Sequence, residues 1–155
     1  MSFIGSHYMR ENYGLDANPS EADRLNYCKA LLIIAGGDGK ISKEEWEYFE
    51  HAVRASGATD AHIEQYRKFE WRTASLEEVL SGMSNIMTPN ALRRALVYDA
   101  LKIAKADHVF TPGERAAALK AAQILGIDKT CFEAIEGLVN VEIALKTARI
   151  AVLNA

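Results

Sequence analysis

From residue 20 onward, apolar residues recur every three to four positions along most of the chain, and alternating apolar–polar runs are short. Leu25, Cys28, Leu32 and Ala35 fall on one stripe and predict a helix from just after Ser20 to about Ala35, ended by Gly36-Gly37. The next runs from Ser42 through Trp46, Phe49 and Val53 to Gly57. Its Ser42 and Glu45 have the spacing of a capping box, in which hydroxyl and carboxylate each take the other's backbone N–H. Thr59-Asp60 predicts the start of a third helix carrying Ile63, Tyr66 and Phe69, and Ser75 with Glu78 a second box opening a short helix with Leu76, Val79, Leu80 and Met83. Thr88-Pro89 reads as a cap followed by proline in the first turn, opening a helix through Leu92, Leu96 and Ile103 to about Ala106. Thr111-Pro112 repeats that signal, with Glu114 completing a box, and its helix should end near Gly126. Asp128 caps a last segment to about Leu153, which Gly137 and Asn140 are expected to divide. The prediction is an all-α fold. Residues 1–18, with Gly5, Asn12, Gly14 and Asn18, read as an irregular N-terminal arm, and residues 19–155 as a single helical domain.

One loop occurs twice. Asp38 and Glu45 flank Gly39-Lys40-Ile41-Ser42; Asp107 and Glu114 flank His108-Val109-Phe110-Thr111. Asp107 follows Asp38, and Glu114 follows Glu45, by the same 69 positions, and Leu32/Leu101, Ile34/Ile103 and Gly57/Gly126 keep that offset. The register predicts an internal repeat, about 20–70 and 89–139, built as two helical hairpins. Residues 20–57 should superpose on 89–126 through a pseudo-twofold rotation.

Composition narrows the function. The net charge is −3 and basic residues are interleaved with acids, so no nucleic-acid-binding field is expected. No apolar run reaches the ~18–20 residues of a membrane span, and no signal-peptide pattern is visible, which makes the cytoplasm the expected location. Cys28 and Cys131 lack C-x-x-C spacing and read as buried thiols. No nucleophile elbow, phosphate loop, dinucleotide fingerprint or H-E-x-x-H occurs, so no enzyme is expected. Trp46, Phe49, Tyr66, Phe69 and Trp71 have the spacing of core residues, and His7, His51 and His62 share no metal-ligand spacing.

The candidate chemistry lies in the loops. Two carboxylates seven residues apart across a turn can converge on one hard cation, which prefers oxygen ligands. They can equally be structural: Asp38 and Asp107 as turn-formers, Glu45 and Glu114 as capping-box acids. An EF-hand is excluded, because positions 40 and 42 are Lys and Ser and the Glu comes too early. Asp99 shares the stripe of Leu92, Leu96 and Ile103, so it must be paired, protonated or at the stripe's edge. A structural hydrogen bond or ion pair is expected there, with membership of the acidic site as the alternative.

The run Asp38-Gly39-Lys40-Ile41-Ser42-Lys43-Glu44-Glu45 after an apolar helix, with its degenerate copy at Asp107–Glu114, resembles the tellurite-resistance TerB family over about residues 20–150. The resemblance implies a compact multi-helical bundle of two pseudo-symmetric hairpins. It implies a non-enzymatic module that binds or senses a divalent metal (calcium, magnesium or zinc) through Asp38, Glu45, Asp107 and Glu114. It also implies a role in tellurite resistance or stress response, with protein partners in a membrane-associated complex that place it at the periphery of the inner membrane. The alternative function is a helical interaction scaffold whose acidic loops are only structural. Two positions depart from the family pattern: Gly37 stands where Ala is usual and should loosen the helix end, and His108 stands where Gly is usual. The latter either distorts the second loop or offers an imidazole ligand.

Overall fold

A computed structural model describes residues 3–16, 19–83 and 90–155. They form eight helices and no strand: α1 (Phe3–Tyr13), α2 (Glu21–Ala35), α3 (Lys43–Ala55), α4 (Asp60–Lys68), α5 (Leu76–Ser81), α6 (Asn90–Ala104), α7 (Pro112–Ile124) and α8 (Lys129–Leu153). The all-α expectation holds. Thr88-Pro89, expected to start α6, lies outside the described residues.

At the centre α2 packs on α6, and the other helices surround that pair: α4, α5 and α7 against α2, and α3, α7 and α8 against α6. Leu32 and Ala35 of α2 and Leu96, Val97 and Leu101 of α6 are fully buried. Phe49 from α3, Ala121 from α7, and Phe132 and Val139 from α8 close the core around them. Phe49 and Tyr66 meet edge to face, and Trp46, Phe69 and Trp71 pack partly buried on the core, as their spacing predicts. The cysteines are free and half-buried. Burial pushes the Cys28 thiol up to about 11, which leaves it protonated and unreactive.

Most caps are where the sequence places them. Ser42–Glu45 and Thr111–Glu114 are complete boxes. Ser75 accepts the Glu78 N–H at 3.3 Å, but the return bond of that box is not among those of α5. Thr59 and His62 form an unforeseen box, in which the imidazole Nδ1 accepts the Thr59 N–H at 3.1 Å and Nε2 meets Glu21 at 3.0 Å.

Two expectations are corrected. The N-terminal segment is helical over Phe3–Tyr13, in place of an irregular arm, and Gly14 ends it with φ +64°. Its helicity is fixed from outside: Met9 packs on the core, and the Tyr13 hydroxyl donates to Asp99 Oδ1 at 2.7 Å. Tertiary contacts of this kind override weak local propensity. The last segment is one unbroken helix of 25 residues. Gly137 faces open space and costs about 1 kcal/mol in a helix interior, which the burial of Phe132 and Val139 on either side offsets.

Asp99 resolves as a structural acid. Its Oδ2 accepts the Tyr27 hydroxyl at 2.7 Å, so one carboxylate joins α1, α2 and α6. Burial raises its pKa to about 6 against the lowering effect of the two phenols.

Candidate functional site

The loop between α2 and α3 and the loop between α6 and α7 are built alike. In the first, Gly36 N–H donates to Leu32 O, Gly37 N–H to Ile34 O and Gly39 N–H to Gly36 O. In the second, Lys105 donates to Leu101, Ala106 to Ile103 and His108 to Lys105. Asp38 Oδ1 accepts the Lys40 N–H at 3.2 Å, and Asp107 Oδ1 accepts the Val109 N–H at 2.9 Å. Each aspartate therefore folds its own turn. Gly39 has φ +94° and His108 φ +63°. The exposed His108 takes the left-handed conformation that histidine tolerates better than most side chains, so the second loop keeps its turn without glycine.

The glutamates follow. Glu45 Oε2 accepts the Ser42 N–H at 2.7 Å and Ser42 Oγ accepts the Glu45 N–H at 3.1 Å. Glu114 Oε2 accepts the Thr111 N–H at 3.4 Å and Thr111 Oγ1 accepts the Glu114 N–H at 3.1 Å. Glu45 is 2% exposed and Glu114 3% exposed, so the acid of each box is inside the protein while Ser42 and Thr111 are half-buried.

The two loops touch. Thr111 Oγ1 donates to Asp38 Oδ2 at 3.5 Å, and a Cβ on Gly113 would stand 3.2 Å from Asp38 Cβ. Asp38 thus lies against the first turn of α7. The neighbouring acids act on the two glutamates. Burial raises the Glu114 pKa to about 7, the Glu45 charge adds to it, the Thr111 N–H opposes it, and Asp38 raises it further as acceptor and as charge. Burial likewise raises Glu45, the Ser42 N–H opposes, and Asp107 and Asp38 add to the rise. Among the described residues, none of the four acids has an ion pair.

Such a cluster relieves its repulsion by holding a proton or by holding a cation. As the side chains stand, no group of three or more His, Cys, Asp or Glu among the described residues is arranged to hold a metal ion. Both glutamates have one oxygen turned to their own helix starts, and ligation would need them to rotate or use the other oxygen. Asp99 stands with Tyr13 and Tyr27, so its alternative place in this site falls away. The Thr111–Asp38 bridge and Gly113 were missed from the sequence. The proline beside Thr111 and the glycine after it mark a tight helix start but not the partner it meets.

The fold and paired acidic loops define an all-helical class of protein. The family model described as tellurite resistance protein TerB matches residues 24–137. The chain belongs to the TerB family. It is also similar to a solved structure, a tellurite resistance protein from Nostoc punctiforme PCC 73102, at 28% identity with TM-score 0.83, covering 99% of this chain and 96% of that one. No curated protein shows significant similarity. All-helical TerB-like proteins are not a known enzyme class, and no helix among the described residues is long and apolar enough to cross a membrane.

Proposed function

We propose that the protein is a non-enzymatic, divalent-cation-binding or sensing module of a cytoplasmic tellurite-resistance or stress response, acting through protein partners at the inner-membrane periphery. The observation that carries this reading is the pair of buried glutamates, Glu45 and Glu114, whose proton affinities burial raises, with Asp38 adding to both and Glu45 adding to Glu114, and neither has an ion pair among the described residues. An all-oxygen donor set suits calcium or magnesium better than zinc, which favours nitrogen and sulfur. Asp38, Glu45, Asp107 and Glu114 are the ligands of this reading. Binding must displace a proton from Glu114, so affinity should rise as pH rises through about 7.

Calcium, magnesium, manganese and zinc titrated against wild type, Asp38→Asn and Asp107→Asn, followed by amide NMR shifts, test it. The expected response is saturation in the range of about 10⁻⁴–10⁻³ M, with most of it lost in Asp38→Asn while the fold survives. Silence of the loop amides at millimolar ion, or an Asp38→Asn protein that responds as wild type does, removes the cation from the proposal. The helical scaffold with structural loops then stands. One observation favours that second reading: both glutamates are already engaged in complete capping boxes.

The proton side can be measured without metal. Between its ordinary value of 4.5 and about 7, Glu114 holds a proton in the folded chain that the unfolded chain has released. Folding stability therefore falls as pH rises through that window and levels off above it. Glu114→Gln keeps a residue that can cap and removes the titration. Urea denaturation at several pH values should show a fall on the order of 1–3 kcal/mol that is smaller in Glu114→Gln. Equal slopes in the two proteins would mean that Glu114 does not hold a proton in the folded chain across this window.

A further inference from the structure

Helix α8 outruns the bundle. Its buried residues, Phe132 and Val139, lie in its first half, and every residue from Ala144 to Ala155 is exposed. On the side away from the bundle, Leu138, Val141, Leu145, Ala148 and Val152 succeed one another at steps of three, four, three and four. That is the seam spacing of a two-helix coiled coil. No charge interrupts it, and its leucines and valines are 50–75% exposed. A soluble monomer rarely leaves a continuous apolar stripe of this kind in water.

Size and charge point to the occupant. Burying a leucine or valine removes about 60–120 Å² of apolar surface, so the seam offers on the order of 400 Å² per copy. With polar flanks in the usual proportion, two copies reach the lower end of the ~1,200–2,000 Å² that specific interfaces bury. The flanks select the direction. Glu142 and Arg149 border one side of the seam, and Ala144 and Ala151 the other. In an antiparallel pair, flanks of the same side meet, which sets Glu142 against the second copy's Arg149 twice over and lets the alanines approach closely. In a parallel pair Glu142 would meet Gly137, Arg149 would meet Ala144, and no charge pair would form. Glu142 is already held at the seam's edge, because its Oε2 accepts the Tyr98 hydroxyl. An antiparallel pair also puts the two bundles at opposite ends of the joined helices, since the buried residues of α8 lie in its first half.

We propose that the exposed stripe of α8 is a homodimer interface, formed by antiparallel pairing with the α8 of a second copy of this chain. The inference is independent of the cation reading. Sedimentation equilibrium of the full chain at about 1–100 μM tests it, with circular dichroism to check that each variant is folded. Wild type should be dimeric at the upper end of that range. Leu145→Glu, at a position 61% exposed, should sediment as a monomer throughout. Glu142→Arg should weaken dimerisation about tenfold or more, and adding Arg149→Glu should restore it. A wild-type monomer at 100 μM overturns the proposal, as does a dimer indifferent to Leu145→Glu. Failure of the charge exchange to rescue overturns the antiparallel pairing. A monomer that instead floats with phosphatidylglycerol-containing vesicles assigns the stripe to a lipid surface and overturns the dimer.

Discussion

Leu101→Ala is expected to lower the unfolding free energy by about 2–5 kcal/mol, and Leu32→Ala by a similar amount. Both leucines are fully buried where α2 meets α6, and each backbone carbonyl accepts the first N–H beyond its helix, from Lys105 and Gly36 respectively. The cavity left by truncation has little room to close. Its neighbours Ala100, Ala104, Ala30 and Ala35 already bring the two helices close, and their short side chains cannot swing into the space. Chemical denaturation decides the matter. A loss well below 1 kcal/mol at either position would mean that α2 and α6 do collapse, and that this pair does not anchor the two loops.

The second large effect is expected at Gly37. A Cβ built there falls inside van der Waals contact with the Cβ of Ala117 on α7, and it stands 3.5 Å from Gly113 O. The obstacle is the root of a helical side chain, which moves only if α7 moves. Gly37→Ala should therefore destabilise the fold by about 1–3 kcal/mol, as overpacking does. It should also push the first turn of α7 away from Asp38 and weaken the Thr111–Asp38 bond. Adding Ala117→Gly should recover most of the steric part, although glycine within a helix itself costs about 1 kcal/mol. A double-mutant cycle isolates the coupling. If the two substitutions simply add, the close approach of loop and helix is wrong.

Gly37 shows where sequence reading ran out. From the chain alone it looked like a residue that loosens a helix end, because what it accommodates is 80 residues away at Ala117. The capping boxes at Ser42 and Thr111 were legible because every atom of a box lies within four residues. The likeness of the two loops was legible too, since a constant offset carries local geometry with it, down to the left-handed turns at Gly39 and His108. Their meeting was not. Asp38 reaches Thr111 only because α2 packs on α7, a tertiary fact with no local trace. Helix α1 was missed for the same reason: its glycine and asparagine signal a loop, and the contact that orders its end is on α6. Asp99 was recognisable as an acid in need of a partner, but nothing in its surroundings named Tyr13 or Tyr27.

Two adjacent residues of α6 carry a consequence for where the folding unit begins and ends. Asp99 receives Tyr13 from α1, and Tyr98 donates to Glu142 from α8, while the Tyr13 and Tyr98 rings meet edge to face. Tyr13 lies before, and Glu142 after, the span 24–137 that the family model matches. A fragment trimmed to that span would keep both loops and lose both fasteners. It would leave the Asp99 carboxyl with a single phenol in a site made to enclose it, and it would strip the end of α8 from its hold on the centre. The boundary drawn by the family model is thus narrower than the one drawn by these contacts. A dipeptide in the middle of the chain clasps both of its ends.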